Sequence, residues 1–307
     1  MTALADAYAT WSWNPVADLR QMWAYPFMVN AFRAGTITAV AAGVMGWFMV
    51  LRRQSFAGHT LAVVGFPGAA GAVLVGVSAT YGYFVFCVAA ALLVAAVPRT
   101  GRGRRPGAGQ EAALTGTVQA FLLACGFLFT ALYKGVLGGV TSMLFGSFLG
   151  ITTAQVWVLL AVAVTVLALL GAIGRPLLFA SVDPDVAAGR GVPVGLLSTG
   201  FLVLLGAAAA EASQITGTLL VFALLVMPAA TAQVLTARPA LSLALSVVIG
   251  IAVTWLGLTT AYFSDGPLGF AVTSYAFAAY VLARIGRAAA DRAPRHVPVR
   301  VPAGGAA

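Results

Sequence analysis

Between Arg53 and Arg99 the chain carries no Asp, Glu, Lys or Arg, and the only side chain there that titrates near neutrality is His59. Comparable uncharged runs recur almost to the C-terminus. A helix needs about 20 apolar residues to cross the hydrocarbon of a bilayer. A soluble chain of 307 residues has no interior large enough to hide several such runs, whereas lipid solvates them at no cost. Charged residues are 8% of the chain, and the mean hydropathy is +0.98. The runs are apolar all round and lack the alternation of barrel strands, so a β-barrel is excluded. The sequence therefore specifies an all-α polytopic membrane protein.

Division at the charges and turn residues gives about nine transmembrane helices, near 27–51, 58–77, 80–97, 112–133, 153–173, 192–210, 214–236, 240–262 and 267–284. The stretch 135–150 is too short and glycine-rich for a tenth span and reads as a half-helix or surface helix. Basic residues of short loops favour the cytoplasmic side. With the N-terminus outside, only Arg20, Arg33 and Lys134 of the 17 basic residues remain external. This predicts N-out/C-in and a multi-pass protein of the cell membrane. The net charge of +9 is then the positive-inside bias, reinforced by anionic lipid. It gives no reason to expect a nucleic-acid partner, even at the Arg-rich 99–105.

The domain reading is an external interfacial segment 1–26, a membrane domain 27–285 and a basic cytoplasmic tail 286–307. A basic cytoplasmic linker 98–111 and a second cytoplasmic segment 174–191 interrupt the membrane domain. The second segment has local structure. Asp183 suits a helix N-cap and Pro184 the first turn. Asp185 complements the positive end of the helix dipole and Arg190 the negative end, and Gly191 can take a left-handed stop. Two readings stand: an ordinary structured loop, or a docking knob for a soluble partner.

Gly65, Gly68, Gly71 and Gly76 line the second span with Pro67 among them. They suggest close helix packing or a partly unwound helix beside a pathway. Cys87 and Cys125 lie inside spans without a motif and read as packing residues. The lone lysine, Lys134, is followed by glycine, so the chain has no phosphate-binding P-loop. Glu211 and Asp265 fall at the outer ends of spans, which leaves the hydrocarbon without a carboxylate and argues against a self-energised ion-coupled carrier. His59, after Gly58 at the inner start of the second span, is either a helix-start residue or a ligand for an imidazole-preferring ion.

Four passages, in order, resemble the permeases of the manganese/zinc/iron ABC importer family. Val50-Leu-Arg-Arg-Gln-Ser-Phe-Ala-Gly-His-Thr-Leu-Ala is similar to the family's first inner loop, and Leu144-Phe-Gly-Ser-Phe-Leu-Gly to its outer Leu-Phe-Gly segment. Val182-Asp-Pro-Asp-Val-Ala resembles its cytoplasmic coupling helix. Leu224-Leu-Val-Met-Pro-Ala-Ala-Thr-Ala, which contains Pro228, is close to its seventh-span signature. The resemblance extends over roughly residues 30–285. It implies a type II ABC-importer-like permease that imports divalent transition metal ions: zinc, manganese or iron. It further implies a permease homodimer, cytoplasmic ABC ATPase subunits docked on Asp183, Pro184, Asp185, Arg190 and Gly191, and an external metal-binding receptor. Gly58, Gly65, Pro67, Gly68 and Pro228 would pack or line the pathway. The chain itself would bind no cofactor and hydrolyse no ATP.

The sequence departs from that family in one place that matters. Its second span usually begins Asp-x-x-x-His, and the matching positions here are His59 and Val63. Ser147 likewise stands where the outer segment usually has an acid. The alternatives are a permease for a chelated or organic substrate on the same fold, or a non-transporting membrane scaffold.

Overall fold

The computed structural model describes residues 15–96, 108–133, 150–218, 221–264 and 267–292. Its elements are the helices α1 (Pro15–Trp23), α2 (Pro26–Leu51), α3 (Ser55–Val63), α4 (Gly65–Leu74), α5 (Ala79–Ala95) and α6 (Ala108–Leu132). They continue as α7 (Thr153–Val182), α8 (Pro184–Gly189), α9 (Val194–Thr216), α10 (Val221–Leu235), α11 (Pro239–Phe263) and α12 (Leu268–Arg292). With α3 and α4 taken together, 7 helices among the described residues are long and apolar enough to cross a membrane, and the shorter α5 and α10 are apolar too. The nine apolar segments match the sequence reading. The protein is a multi-pass membrane protein, and most of the Arg-rich linker 98–111, the segment 135–150 and the tail beyond 292 lie outside the described residues.

Helix α2 is the hub. It packs against α3, α7, α9, α10 and α11. It is rich in Ala and Gly, so neighbours approach closely, and polar side chains bond across the seams. Trp47 Nε1 donates to Ser242 Oγ at 3.0 Å, Ser246 Oγ to the Gly43 carbonyl at 2.8 Å, and Gln233 Nε2 to the Trp47 carbonyl at 3.0 Å. Each partner is a backbone carbonyl or a small hydroxyl, the kind of group lipid could not satisfy. The periphery is the reverse: Phe121, Phe127, Trp157, Val248 and Phe277 are exposed. These large apolar side chains form the lipid-facing surface.

Several boundaries differ from the sequence reading: α12 continues past residue 284 to Arg292, so the tail expected from 286 begins as helix, and α10 starts at Val221, not near 214. Helix α7 does not stop near Ile173; it runs through Arg175 and Pro176 to Val182, so the first half of the segment 174–191 is helical stem. Helix α9 continues through Glu211-Ala-Ser-Gln to Thr216, where polarity suggests a loop. The second span is two helices, divided at Val64. The N-terminal segment is also less detached than expected, since α1 docks on α2 and buries Met22 in the core.

Candidate functional site

A span broken in two and the end of a neighbouring helix meet inside the membrane domain. The first interruption follows from Pro67, which has no N–H to offer the Val63 carbonyl four residues earlier, so one rung of the helical ladder is missing. The next rung is stretched, with Gly68 N to the Val64 carbonyl at 3.4 Å. The second break is the end of α9 at Gly217, which takes φ 74°. The two breaks touch. A Cβ on Gly65 would lie 3.0 Å from Tyr83 Cδ1, 3.1 Å from Thr218 Cγ2 and 3.2 Å from Ser213 Oγ. Gly65 sits near the middle of the 20-residue span Ser55–Leu74 and Thr218 just past the end of the span Val194–Gln214, so the junction lies inside the membrane domain. Discontinuous helices inside the membrane are how membrane proteins bring backbone carbonyls to a pathway.

Of the second-span glycines singled out in the sequence, Gly65 and Gly68 are buried at seams and Gly71 partly so, whereas Gly76 is exposed, at φ +78°, in the turn after α4. A side chain at Gly68 would strike the Gly82 carbonyl of α5, which only hydrogen at that position allows. Gly58 lies against Met49 Sδ on α2. In α10, Pro228 removes the donor to the Leu224 carbonyl, and the neighbouring Leu225 carbonyl points at Gly46.

His59 lies on α3, one turn on the cytoplasmic side of Val63. Its ring meets Phe222 edge-on at 4.9 Å between centroids. Its Nδ1 is buried without a hydrogen-bond partner. Thr60 is engaged, donating to Gln119 Oε1 of α6 at 2.8 Å. Val63 is apolar, but its carbonyl is the one deprived of a donor by Pro67. The family position that loses its imidazole therefore retains a backbone oxygen. Among the described residues no three His, Cys, Asp or Glu side chains converge as a metal-holding cluster. Cys87 and Cys125 are free thiols, and Cys87 Sγ donates to the Leu61 carbonyl at 3.2 Å.

At the cytoplasmic end the capping expected from sequence is present. Asp183 Oδ1 accepts from Val186 N at 3.0 Å, and Pro184 opens the helix. Arg190 N donates to the Val186 carbonyl at 3.1 Å, and Gly191 takes φ +80°. The Arg190 guanidinium lies 5.9 Å from the centre of the Phe179 ring. Only Ala187 of α8 is buried, so Asp183, Asp185 and Arg190 face solvent. Val182 and Val186 of this knob, and Leu196 at the start of α9, are exposed apolar side chains.

Two further features escape a reading of the sequence. Arg52 reads there as an inside charge and as part of the first-inner-loop passage. In the fold it is a clamp, with Nη1 on Ser181 Oγ at 2.9 Å, Nη2 on Ser198 Oγ at 2.6 Å, Nε on Gln54 Oε1 at 3.1 Å, and the Phe201 ring beneath at 5.3 Å. It joins the start of α3 to the stem of α8 and the base of α9. Glu211 lies near the end of its span as expected, but it is wholly buried in α9, so the membrane domain does contain a carboxylate. Its run with Ser213 and Gln214 carries the signal, since three polar residues beside a Gly break in a polytopic chain mark a lined cavity as well as they mark a loop.

These features define a multi-pass membrane protein with a broken span at its centre and a capped polar knob at one end. Residues 24–287 match the ABC 3 transport family, and the chain belongs to it. It is 27% identical over 263 residues to the manganese transport system membrane protein MntC of Halalkalibacterium halodurans, covering 86% of this chain and 88% of that one. It is 29% identical over 238 residues to the manganese import system permease protein ScaB of Streptococcus parasanguinis, covering 78% and 82%. Its fold is similar to that of PsaBC from Streptococcus pneumoniae, solved in complex with Fab, with a TM-score of 0.77 at 24% identity over 87% of this chain and 94% of that one.

Proposed function

We propose that this chain is the permease of an ATP-driven importer of a divalent transition metal, and that His59 contacts the ion in transit. Manganese is the first candidate because the relatives above are named for it; zinc and iron are the others. The observation that carries the reading is the unpartnered, buried Nδ1 of His59 beside a proline-interrupted helix. An imidazole nitrogen and a carbonyl freed from its helix are both ligands for such ions. Water and a second copy of the chain supply further donors. Few strong ligands make a weak site, which suits a conduit that must release its ion.

Energy enters at α8. Cytoplasmic ATPase subunits dock on Asp183, Pro184, Asp185, Arg190 and Gly191 and on the adjoining apolar side chains, and an external receptor delivers the ion. Displacement of α8 moves the C-terminal end of the continuous helix α7. Ser181, on that end, pulls on Arg52, and Arg52 leads within a few residues into α3 and His59. ATP hydrolysis thus alters the ligand geometry through one rigid stem and one guanidinium clamp. The working unit is two permeases with the pathway between them.

The test is uptake of radioactive manganese, zinc and iron by the permease reconstituted with its ATPase and receptor. Parent, His59→Ala and His59→Gln are compared. Loss of uptake in both variants with ATPase activity retained is expected. Parental rates in both would make His59 structural, and transport of a chelate but no free ion would replace the metal reading.

A further inference from the structure

Buried side-chain polar atoms without partners are rare, because each costs the desolvation of a group that water would have satisfied. Seven such atoms occur among the described residues, and four of them lie within residues 211–218: both carboxylate oxygens of Glu211, Gln214 Nε2 and Thr218 Oγ1. Glu211 is 0% exposed, and Thr218 is 1% exposed. Glu211 precedes Ser213 by two residues, or about 3 Å along the helix axis. Ser213 lies beside Gly65, and Gln214 bonds Thr80 at the start of α5, so the carboxylate is buried inside the membrane domain about one turn from the end that carries the α4–α5 connection. A lone ionised carboxylate there costs roughly several kcal/mol and persists only with a partner or a proton.

The surroundings favour a positive partner. Gln214 is one turn from Glu211 on the helix, where i and i+3 side chains are neighbours. Its Oε1 accepts from Thr80 Oγ1 at 3.2 Å. Turning the amide over lets Nε2 donate to Thr80 and presents Oε1 as an oxygen donor, with no carbon displaced. Helix α9 ends at the buried Gly217, so the negative end of its dipole terminates inside the protein. Carboxylate, amide oxygen, hydroxyl and helix-end carbonyls are all oxygen donors, and each is neutral or negative.

We propose that Glu211, assisted by Gln214, is a second cation station on α9 that binds the transported divalent ion through oxygen. It rests on the metal-permease reading but differs from the His59 station in helix and in donor chemistry. Oxygen ligands suit manganese better than the softer imidazole-preferring ions, so Glu211 shifts selectivity toward manganese and His59 toward zinc.

The experiment measures manganese binding to the purified permease in lipid nanodiscs by electron paramagnetic resonance, beside uptake by the reconstituted importer. Glu211→Gln keeps the shape and removes the charge; Glu211→Asp keeps the charge. Expected are manganese affinity weakened about tenfold or more in Glu211→Gln, partial recovery in Glu211→Asp, and a smaller change for zinc. Parental manganese affinity and uptake in a folded, assembled Glu211→Gln would overturn the station. If that variant misfolds, Gln214→Leu serves instead, and unchanged manganese affinity there would overturn it equally. A parent that binds manganese through Glu211 but transports none would sink the importer reading and leave the station standing.

Discussion

Arg52 shows how far a single residue's role can lie from its most obvious property. As a charge it orients the chain; as a donor it ties three helices together at the cytoplasmic surface. Hydrogen bonds from a charged group contribute more than neutral ones. Arg52→Ala is expected to destabilise the permease by on the order of 2 kcal/mol and to lower the ratio of ions moved to ATP hydrolysed. Arg52→Lys keeps the inside charge but cannot span two hydroxyls in a fork, so it should preserve orientation and still lose coupling. Thermal unfolding in detergent with paired uptake and ATPase rates measures both; a parental coupling ratio in Arg52→Lys would remove the clamp from the mechanism. Neither Arg52 nor Glu211 is legible in the sequence, because their surroundings are distant in the chain. Ser181 and Ser198 are ordinary residues until folding sets them beside a guanidinium, and Glu211 reads as a loop residue until α9 is seen to run past it.

At the scale of the element, local chemistry is legible. The cap of α8 is readable because Asp183 needs only the N–H of Val186, three residues on, to show its function. The interruption of the second span is readable from Pro67, whose missing N–H is a property of the residue itself. Helix ends are not readable where polarity and helicity part company: α7 runs past Arg175 and α9 through Glu211, both held helical by packing that hydropathy does not record. The α8 knob gives a graded test. Asp183→Ala should cost about 1 kcal/mol of capping, and Gly191→Ala about 1–2 kcal/mol because a Cβ is unfavourable at positive φ. In a six-residue helix either loss frays the knob. Reduced co-purification of the ATPase subunit is expected from each and near-complete loss from the double variant. A double variant that still retains its ATPase would move the docking surface elsewhere.

On the scale of the whole molecule, the two faces of the protein must answer to two different solvents and two different partners. The apolar periphery fixes the depth of the molecule in lipid, but only the distribution of basic residues fixes which end is inside. That orientation decides the function of α8, since a knob on the outer face could never meet a nucleotide-hydrolysing subunit. The short α4–α5 connection and α8 lie at opposite ends of the bundle, so they form a discriminating pair. Ser78 and Ala188 are both exposed. In a variant whose two native cysteines, Cys87 and Cys125, are replaced by alanine, a single cysteine at position 78 should react with an impermeant maleimide in intact cells. A cysteine at position 188 should react only after the membrane is opened, and coexpressed ATPase should slow that reaction by covering the knob. Labelling of position 188 from outside would invert the molecule and with it the coupling site. Labelling of position 188 from inside at a rate indifferent to the ATPase would keep the orientation and discard the docking.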